Sequence, residues 1–252
     1  MIFKAKGQVI SVNLANREAL LAEVKKRFVS LEGFSLATIN LDHLVKLRSS
    51  EQFASDYAAQ DFVVADGNPI VWLSKLAKRP VELVPGSDMV LPLAELAAES
   101  GVKIALFGSP EESLAASAAT LKTKVPTLEV ALCIAPPMGF EPRSEQAQAM
   151  LKELAESGAG LVFLALGAPK QEAFAALGRT LTPSLGFASI GAGLDFVSGA
   201  QTRAPKWVRA LAMEWAWRML KSPSRLLPRY LQCFGILPSL IAQAWALRLG
   251  KG

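Results

Sequence analysis

Residues 161–196, LVFLALGAPKQEAFAALGRTLTPSLGFASIGAGLDF, contain the pattern that decides the fold. An apolar run at 161–166 is followed by a polar turn, an amphipathic segment at 171–181 and a second apolar run at 186–190. This succession predicts a strand–helix–strand unit with parallel strands. The polar residues that follow each run are then expected at the carboxyl end of the sheet, where such folds bind ligands.

The same alternation continues toward the N-terminus and predicts a Rossmann-like α/β fold, with a mainly parallel sheet flanked by helices. Its predicted strands are 8–12, 34–39, 62–65, 103–107, 129–134, 161–166 and 186–190, and helical patterns fall at 17–28, 51–59, 88–100, 111–121, 145–156 and 171–181. Ser109-Pro110-Glu111-Glu112 predicts a helix start with a capping hydroxyl, a proline at the first helical position and a capping-box glutamate, and Ser49-Ser50-Glu51-Gln52 predicts a similar start.

Composition narrows the class of protein. The chain has 252 residues, of which 51% are hydrophobic, and only two cysteines, Cys133 and Cys233, so a disulfide scaffold or structural zinc site is not expected. The N-terminus does not have the pattern of a signal peptide, and no run of about 20 uninterrupted apolar residues predicts a transmembrane helix. We therefore expect a cytoplasmic protein.

The positive charge is concentrated at the C-terminal end. From Arg203 onward there are nine basic residues and one acidic residue, so this segment carries +8 and residues 1–202 carry −3. The segment also contains several tryptophans and an apolar stretch at 231–247, and Pro223, Pro228 and Pro238 are expected to interrupt its helices. We divide the chain into an α/β body, 1–202, and a basic helical appendage, 203–252, that associates with the membrane interface. A helical pair packed on the body is the alternative.

Four polar clusters follow predicted strands. They are Thr38–Asn40, Asp66–Asn68, the Gly167–Glu172 run and the Gly191–Phe196 run. Four such clusters at equivalent positions predict one crevice. Asp66 is the best candidate general base, since a partly desolvated carboxylate at a strand end can deprotonate a hydroxyl; its alternative role is to cap the following helix.

Several kinds of catalytic site are not indicated. His43 is the only histidine, which argues against a His-rich metal site, and a local hydrogen bond is the simpler role for it. No DxD motif offers the clustered carboxylates that hold a divalent ion against a diphosphate. Gly191-x-Gly193 starts a dinucleotide fingerprint, but Phe196 occupies the third glycine position.

These motifs, in this order, resemble the WecG/TagA/CpsF family of glycosyltransferases over about residues 10–232. The resemblance includes Thr38-x-Asn40, Ala65-Asp66-Gly67, Gly86-x-Asp88, Leu106-Phe107-Gly108, Gly167-x-Pro169-Lys170-Gln171-Glu172, Gly191-x-Gly193-x-Asp195-Phe196-x-x-Gly199, Arg203-Ala204-Pro205-x-Trp207, Glu214-Trp215-x-x-Arg218 and Pro223-x-Arg225.

The resemblance implies an inverting glycosyltransferase that needs neither a metal ion nor another cofactor. It implies a UDP-sugar donor and a polyprenyl-diphosphate-linked saccharide acceptor, in the synthesis of a bacterial surface polysaccharide. We favour an exopolysaccharide and a peripheral location at the cytoplasmic face of the inner membrane. The sugar, the linkage and self-association into a homo-oligomer are left open.

The resemblance also implies roles for individual residues. Asp66 is similar to the catalytic base, and the other assigned residues divide into two groups. Substrate-binding residues are Thr38, Asn40, Asn68, Gln171 and Glu172, and UDP-binding residues are Gly108, Gly167, Lys170, Gly191, Asp195, Arg218, Arg225 and Arg229. Since guanidinium groups are always charged and fit phosphate oxygens, the three arginines could stabilise the departing diphosphate.

Two other classes of function compete with this one. A parallel sheet with Gly191-x-Gly193 also fits a nucleotide-binding oxidoreductase, and the basic, tryptophan-bearing appendage fits a non-catalytic peripheral membrane protein. A nucleic-acid role is not expected, because the basic residues accompany an apolar segment rather than a polar groove.

Overall fold

A computed structural model describes residues 1–202, 204–205, 208 and 213–250 of the chain, without the side chains of Arg218, Lys221 and Arg225. In this part of the chain the elements are β1 Ile2–Ala5, β2 Gln8–Ser11, α1 Arg17–Ser30, β3 Phe34–Ile39, α2 Leu41–Ser49, α3 Glu51–Ala58, β4 Phe62–Ala65, α4 Asn68–Leu76, α5 Gly86–Glu99, β5 Lys103–Phe107, α6 Glu111–Lys124, β6 Val130–Ile134, α7 Glu145–Glu156, β7 Ala159–Leu164, α8 Lys170–Leu181, β8 Gly186–Ser189, α9 Gly193–Ser198, α10 Glu214–Lys221 and α11 Pro223–Arg248.

Six strands form one parallel sheet in the order β4-β3-β8-β7-β5-β6. Each corresponds to a strand that the sequence predicts, and the α/β Rossmann-like class is confirmed. The predicted strand at 8–12 is the exception, because it pairs antiparallel with β1 in a separate hairpin. Its Ile10 is buried with Phe3 against the body. Because the hairpin buries apolar residues as the main sheet does, its sequence has the same local pattern as a strand of that sheet.

Helices cover both faces of the sheet. Alternate residues of β3 point to opposite sides, so Phe34 and Leu36 lie in the core under α1, α5, α6 and α9, whereas Ala37 and Ile39 lie in the core under α2, α3 and α4. Helices α7 and α8 cover the remainder of that second face with Leu151 and others. The three-layer arrangement buries the strands on both faces and leaves their carboxyl ends to the loops.

The capping residues explain where the helices near the site begin. Asn40 caps α2 by accepting a hydrogen bond from the His43 backbone N–H at 3.1 Å, and Ser50, within the predicted helix start Ser49–Gln52, caps α3. The predicted cap by Ser109 is wrong, since α6 begins after Pro110 with no side-chain cap. The Ser109 hydroxyl donates to Asp195 instead, at 3.3 Å.

The C-terminal helices are interrupted before Pro223, as expected, but not at Pro228 or Pro238. Helix α11 runs for 26 residues through Pro228 and Pro238. A proline removes one backbone hydrogen bond but does not have to end a helix that packing holds in place. By length and composition alone, Leu226–Arg248 could cross a membrane, whereas no transmembrane helix was predicted from the sequence.

One side of α11 packs on the body. Leu240, Ala244 and Leu247 are buried in the core formed with the hairpin, α2 and α4. Arg48 of α2 donates a hydrogen bond to Ser239 Oγ at 2.8 Å. The opposite side exposes several large apolar residues, which are Leu227, Leu231, Phe234, Ile241 and Trp245.

Candidate active site

The predicted polar clusters converge at the carboxyl edge of the sheet, because all six strands run in the same direction. Thr38 lies near the end of β3 and Asn40 follows it, Asp66 directly follows β4, and Gly191 follows β8. Strand β8 lies between β3 and β7 although it comes last in sequence. The helix after β8 packs on one face of the sheet, and those after β3 and β7 pack on the other. A change of face between adjacent strands opens a crevice at their carboxyl ends.

Asp66 lies half-buried at the rim of this crevice. Its backbone N–H donates to the Ile39 carbonyl at 2.8 Å, and Thr38 Oγ1 donates to its Oδ2 at 3.4 Å. Helix α4 has Gly67 as its N-cap and no side-chain cap, so Asp66 does not have the capping role that was its alternative. The end of β4 and the Thr38 hydroxyl thus help to position the carboxylate at the crevice, where it could accept a proton.

Close backbone packing surrounds the Thr38–Asp66 pair. A Cβ on Gly86 would lie 3.2 Å from both Thr38 Cγ2 and Ile190 Cα, so the start of α5 closes on the ends of β3 and β8. Asn40 has its side-chain oxygen engaged in capping α2, and Gly67 lies beside its Cβ. Asn68 is the half-buried first residue of α4. These predicted substrate-binding residues therefore cluster around Asp66.

Gln171 connects the loops that follow β7 and β8. Its Oε1 accepts hydrogen bonds from the backbone N–H groups of Gly167 and Gly191, each at 3.2 Å, and its Nε2 donates to Glu172 Oε1 at 2.9 Å. Gln171 is 2% exposed and Glu172 is fully buried. Burial raises the pKa of Glu172 to about 7, although hydrogen bonds from Gln171 and its own backbone act in the opposite direction.

Lys170 points to a different part of the molecule from Gln171. Its Nζ donates to the Phe140 carbonyl at 2.6 Å and lies 4.0 Å from a Glu141 carboxylate oxygen, in the segment between β6 and α7. Gly108 approaches the loop after β7 so closely that a Cβ would lie 2.7 Å from the Ala165 carbonyl carbon. Both residues therefore line the β5–β7 side of the edge.

Asp195 lies in a group of hydroxyls between α6 and α9. Its Oδ1 accepts from Ser109 Oγ and Ser113 Oγ, both at 3.3 Å, and its Oδ2 accepts from Gln201 Nε2 at 2.8 Å. Ser113 Oγ also lies 3.2 Å from Ser198 Oγ. Donor hydroxyls around a carboxylate can exchange for the hydroxyls of a bound ribose or sugar, which suits the predicted UDP-binding role.

Two cationic side chains near the site contact Asp42. Lys46 was not assigned to the site from the sequence, and Arg229 was assigned to UDP binding. Lys46 Nζ donates to the Ala168 carbonyl at 2.9 Å and pairs with Asp42 at 2.8 Å. Arg229 of α11 pairs with the same Asp42, at 2.7 Å. The i, i+4 spacing of Asp42 and Lys46 was the only signal in the sequence for this cluster. The side chains of Arg218 and Arg225 lie outside the described residues.

His43 belongs to the core next to the site. Its ring Nδ1 lies 3.2 Å from the Tyr57 hydroxyl, and burial lowers its pKa to about 4. Burial, and then the Glu172 and Asp66 carboxyl groups, hold the pKa of Tyr57 well above its usual range. His43 is therefore neutral at physiological pH and acts as a packed, hydrogen-bonded core residue.

The donor groups available for a metal ion are few at this edge. Within the described ranges, no three His, Cys, Asp or Glu side chains lie close enough to hold one ion together. What the edge offers is the half-buried Asp66 carboxylate beside the Thr38 hydroxyl, backbone N–H groups in glycine loops, and cations of α2 and α11. Such a set can accept a proton from a hydroxyl and stabilise an anionic leaving group.

A comparison with known protein families gives one match. The model of the family described as "Glycosyl transferase WecG/TagA/CpsF family" matches residues 8–250. The match includes the six-stranded sheet, every strand-end cluster and both C-terminal helices.

Proposed function

Because the chain belongs to the WecG/TagA/CpsF family of glycosyl transferases, we propose that it moves one sugar from a UDP-sugar to a polyprenyl-diphosphate-linked saccharide. The transfer inverts the anomeric carbon and needs no metal ion. The observation that carries this proposal is Asp66, half-buried beside the Thr38 hydroxyl at the crevice where the strand-end loops converge. The pathway we favour is the synthesis of a bacterial exopolysaccharide.

The proposed reaction is a single displacement. Asp66 takes the proton of the acceptor hydroxyl. At the same time the oxygen of that hydroxyl bonds to the anomeric carbon, and the bond from that carbon to the UDP oxygen breaks. The negative charge that develops on UDP is stabilised by guanidinium groups of the appendage, residues 203–252. The resemblance to the family assigns Arg218 and Arg225 to this role. Arg229 contributes at the same end of α11, where it pairs with Asp42.

The remaining assigned residues divide between the two substrates. Thr38, Asn40 and Asn68 surround Asp66 and hold the reacting sugars. Asp195 and its neighbouring serines bind the nucleoside part of UDP, since a carboxylate accepts hydrogen bonds from ribose hydroxyls. Gly108, Gly167, Lys170 and Gly191 form the loops around the donor, whereas Gln171 and Glu172 act on that site from beneath the loops.

The appendage is proposed to bring the site to its lipid-linked acceptor. The exposed apolar side of α11 and the basic residues of this segment fit a helix that lies in the interface of an anionic membrane. The other side of the same helix contacts α2 and α4, which begin at the Asn40 and Asp66 loops. We therefore propose a peripheral enzyme at the cytoplasmic face of the inner membrane.

The activity is tested by UDP release from a panel of UDP-sugars, with and without a short polyprenyl-diphosphate monosaccharide, in detergent and chelator. Acceptor-dependent release from one donor is expected and would name the sugar. No release from any donor, by folded protein with its C-terminal helices intact, would contradict the proposal. UDP titration by calorimetry then separates a wrong acceptor from a protein that does not bind UDP.

The Asp66→Asn variant tests the base. Because the amide cannot accept the proton, we expect the rate of sugar transfer to fall by at least about 100-fold while UDP affinity stays near the wild-type value. Glu153→Gln, the same chemical change on an exposed position of α7, is the matched control. Wild-type turnover by Asp66→Asn would remove this residue from the mechanism.

The Arg225→Ala variant tests the stabilisation of the leaving group. Loss of a charge-assisted phosphate contact is expected to weaken UDP binding by about tenfold or more. Arg248→Ala is the control, since Arg248 stacks on Trp245 at the far end of α11 and should leave UDP affinity unchanged. Equal UDP affinity in the two variants would argue against a diphosphate contact at Arg225.

A further inference from the structure

The side-chain amide of Gln171 has only one orientation that satisfies its surroundings. Two backbone N–H groups, from Gly167 and Gly191, converge on its Oε1. In the reversed orientation the amide NH2 group would face these two donors, and the two glycine N–H groups would lose their acceptor. The NH2 group must therefore point away from the loops, toward an acceptor.

Glu172 supplies that acceptor. Its Oε1 lies 2.9 Å from Gln171 Nε2, and the residue is fully buried at the start of α8. Its main chain is held as well, because Gln60 Nε2 donates to the Glu172 carbonyl at 3.1 Å. The position of the carboxyl group is thus fixed from beneath the loops.

Neither side chain is exposed to the crevice. Gln171 is 2% exposed and Glu172 is 0% exposed, whereas a residue that hydrogen-bonds a sugar directly needs a solvent-accessible polar atom. The second oxygen of Glu172, Oε2, has no hydrogen-bond partner among the described residues. A buried carboxyl oxygen without a hydrogen bond lowers the stability of the fold. Packing alone therefore does not explain why a glutamate occupies position 172.

We propose that Glu172 is a positioning residue for the donor site. Its carboxyl group orients the Gln171 amide, and the single oxygen of that amide then holds the loops after β7 and β8 at a fixed separation through Gly167 and Gly191. The assignment rests on the proposed function, in which these loops surround the UDP-sugar. It places Gln171 and Glu172 beneath the donor rather than against its sugar.

A reciprocal exchange of the two side chains tests the hydrogen-bond pattern. In Gln171→Glu alone, the new carboxylate lies against the Glu172 carboxyl group. At an assay pH of about 9, well above the Glu172 pKa of about 7, both groups are charged with no proton donor between them, and their repulsion moves the new side chain away from the two glycine N–H groups. Adding Glu172→Gln restores a donor, because the new amide at position 172 can donate to the carboxylate at position 171. The single variant is expected to raise the KM for the UDP-sugar by about tenfold or more, and the double variant to recover most of that loss.

Two further variants separate the carboxyl group's acceptor role from its charge. Glu172→Gln alone keeps an acceptor oxygen for Gln171 Nε2 and is expected to keep the wild-type KM for the donor. Glu172→Leu removes the acceptor and is expected to raise that KM by about tenfold, with a smaller change in kcat. Gln148→Glu, on the exposed side of α7, is the control for adding a carboxylate.

Hydrogen exchange measures the same contacts without substrate. Peptides that contain Gly167 and Gly191 are expected to exchange about tenfold faster in Gln171→Glu and Glu172→Leu, and at the wild-type rate in the double variant. The Gly108 amide is the internal control, because it donates to the Ile134 carbonyl instead. Thermal melts identify any variant that fails to fold. If Glu172→Leu does not fold, the comparison of Gln171→Glu with the double variant tests the positioning role by itself.

The outcomes separate the two proposals. Unchanged exchange at both glycines in Gln171→Glu and Glu172→Leu, or a double variant no better than Gln171→Glu in exchange and in KM, overturns the positioning role. If exchange follows the expected pattern but the wild-type protein binds no UDP-sugar, the positioning role stands and the proposed function fails.

Discussion

Two carboxyl groups of the site, those of Asp66 and Glu172, have surroundings that suit them to different roles. Asp66 is half-buried at the crevice, next to the Thr38 hydroxyl, and can exchange a proton with a bound hydroxyl. Glu172 is enclosed, and burial raises its pKa to about 7. Because it cannot reach solvent, Glu172 acts through the Gln171 amide that it contacts. At the scale of single residues, our proposal therefore assigns the half-buried Asp66 as the base and the fully buried Glu172 as a positioning residue.

The raised pKa of Glu172 has a consequence for stability. An unfolded glutamate ionises near pH 4.5, whereas folded Glu172 ionises near pH 7, so the unfolded state loses its proton first as the pH rises. The contribution of this group is therefore greatest below about pH 4.5 and is lost as the pH rises through about 7.

Glu172→Gln removes this titration. The Tm of the variant relative to wild type is expected to increase between pH 5 and pH 8, by about 2–4 °C for each kcal/mol that ionisation costs. The wild-type comparison cancels His43, whose lowered pKa of about 4 acts in the opposite direction. A Tm difference independent of pH, measured by calorimetry in matched buffers, would show that Glu172 does not titrate in this range.

The element that links the body to a membrane in our proposal is α11. Adjacent residues on this helix have opposite surroundings, since Leu240 is 1% exposed in the core with α2 and α4, and Ile241 is 49% exposed on the outer side. Near the start of the helix, Arg229 pairs with Asp42, which also pairs with Lys46. One side of α11 therefore stabilises the fold, and the other side is available to a lipid surface.

Leu240→Ser and Ile241→Ser make the same change on the two sides of α11. Ile241→Ser is expected to weaken binding to anionic vesicles by about tenfold, because one apolar side chain is lost from the interface, and to leave Tm unchanged. Leu240→Ser is expected to lower stability by about 2–5 kcal/mol through the cavity and the buried hydroxyl. Sedimentation with vesicles and thermal melts measure the two effects, and equal vesicle binding by Ile241→Ser and wild type would contradict the membrane-facing assignment.

At the scale of the whole molecule, the two edges of the sheet have different roles. The proposed site lies at the carboxyl edge, and contacts that stabilise the fold lie at the amino edge. Strand β4 has an aspartate at each end, and Asp66 at the carboxyl end lies in the crevice. Asp61, before the amino end, accepts from the Ser35 N–H and hydroxyl and from Arg179 Nε at 2.8, 3.1 and 3.0 Å. These contacts join β3, β4 and α8 at the edge opposite the site, so Asp61 holds elements together.

Asp61→Ala and Asp66→Ala are expected to have opposite effects. Removing Asp61 leaves the Ser35 and Arg179 donors without their acceptor and should lower the free energy of unfolding by about 2–3 kcal/mol. UDP affinity of the folded Asp61→Ala protein should stay unchanged. Asp66→Ala should lose sugar transfer with little loss of stability. Denaturant unfolding and UDP titration on both variants measure this contrast, and a stable Asp61→Ala protein would argue against the structural role.

The sequence by itself determined which segments form the sheet and which residues end its strands. Buried runs followed by amphipathic segments are local patterns, so the six sheet strands and the positions of Asp66, Gln171 and Asp195 at or after strand ends could be predicted. The motif order also determined the family. The first predicted strand is present as β2 but lies outside the main sheet, because an apolar run has the same local pattern in a hairpin as in the main sheet.

Only the tertiary structure decided which of these residues touch. Strand β8 lies between β3 and β7, and this order brings the Gly191 N–H to the Gln171 side-chain oxygen. It also places Asp195 of α9 next to Ser109, which comes 86 residues earlier in the chain. Likewise, α11 continues through two prolines while packed against the body. Local patterns depend on neighbours within a few residues, whereas hydrogen-bond partners and burial depend on strand order, and strand order is set by packing across the whole chain.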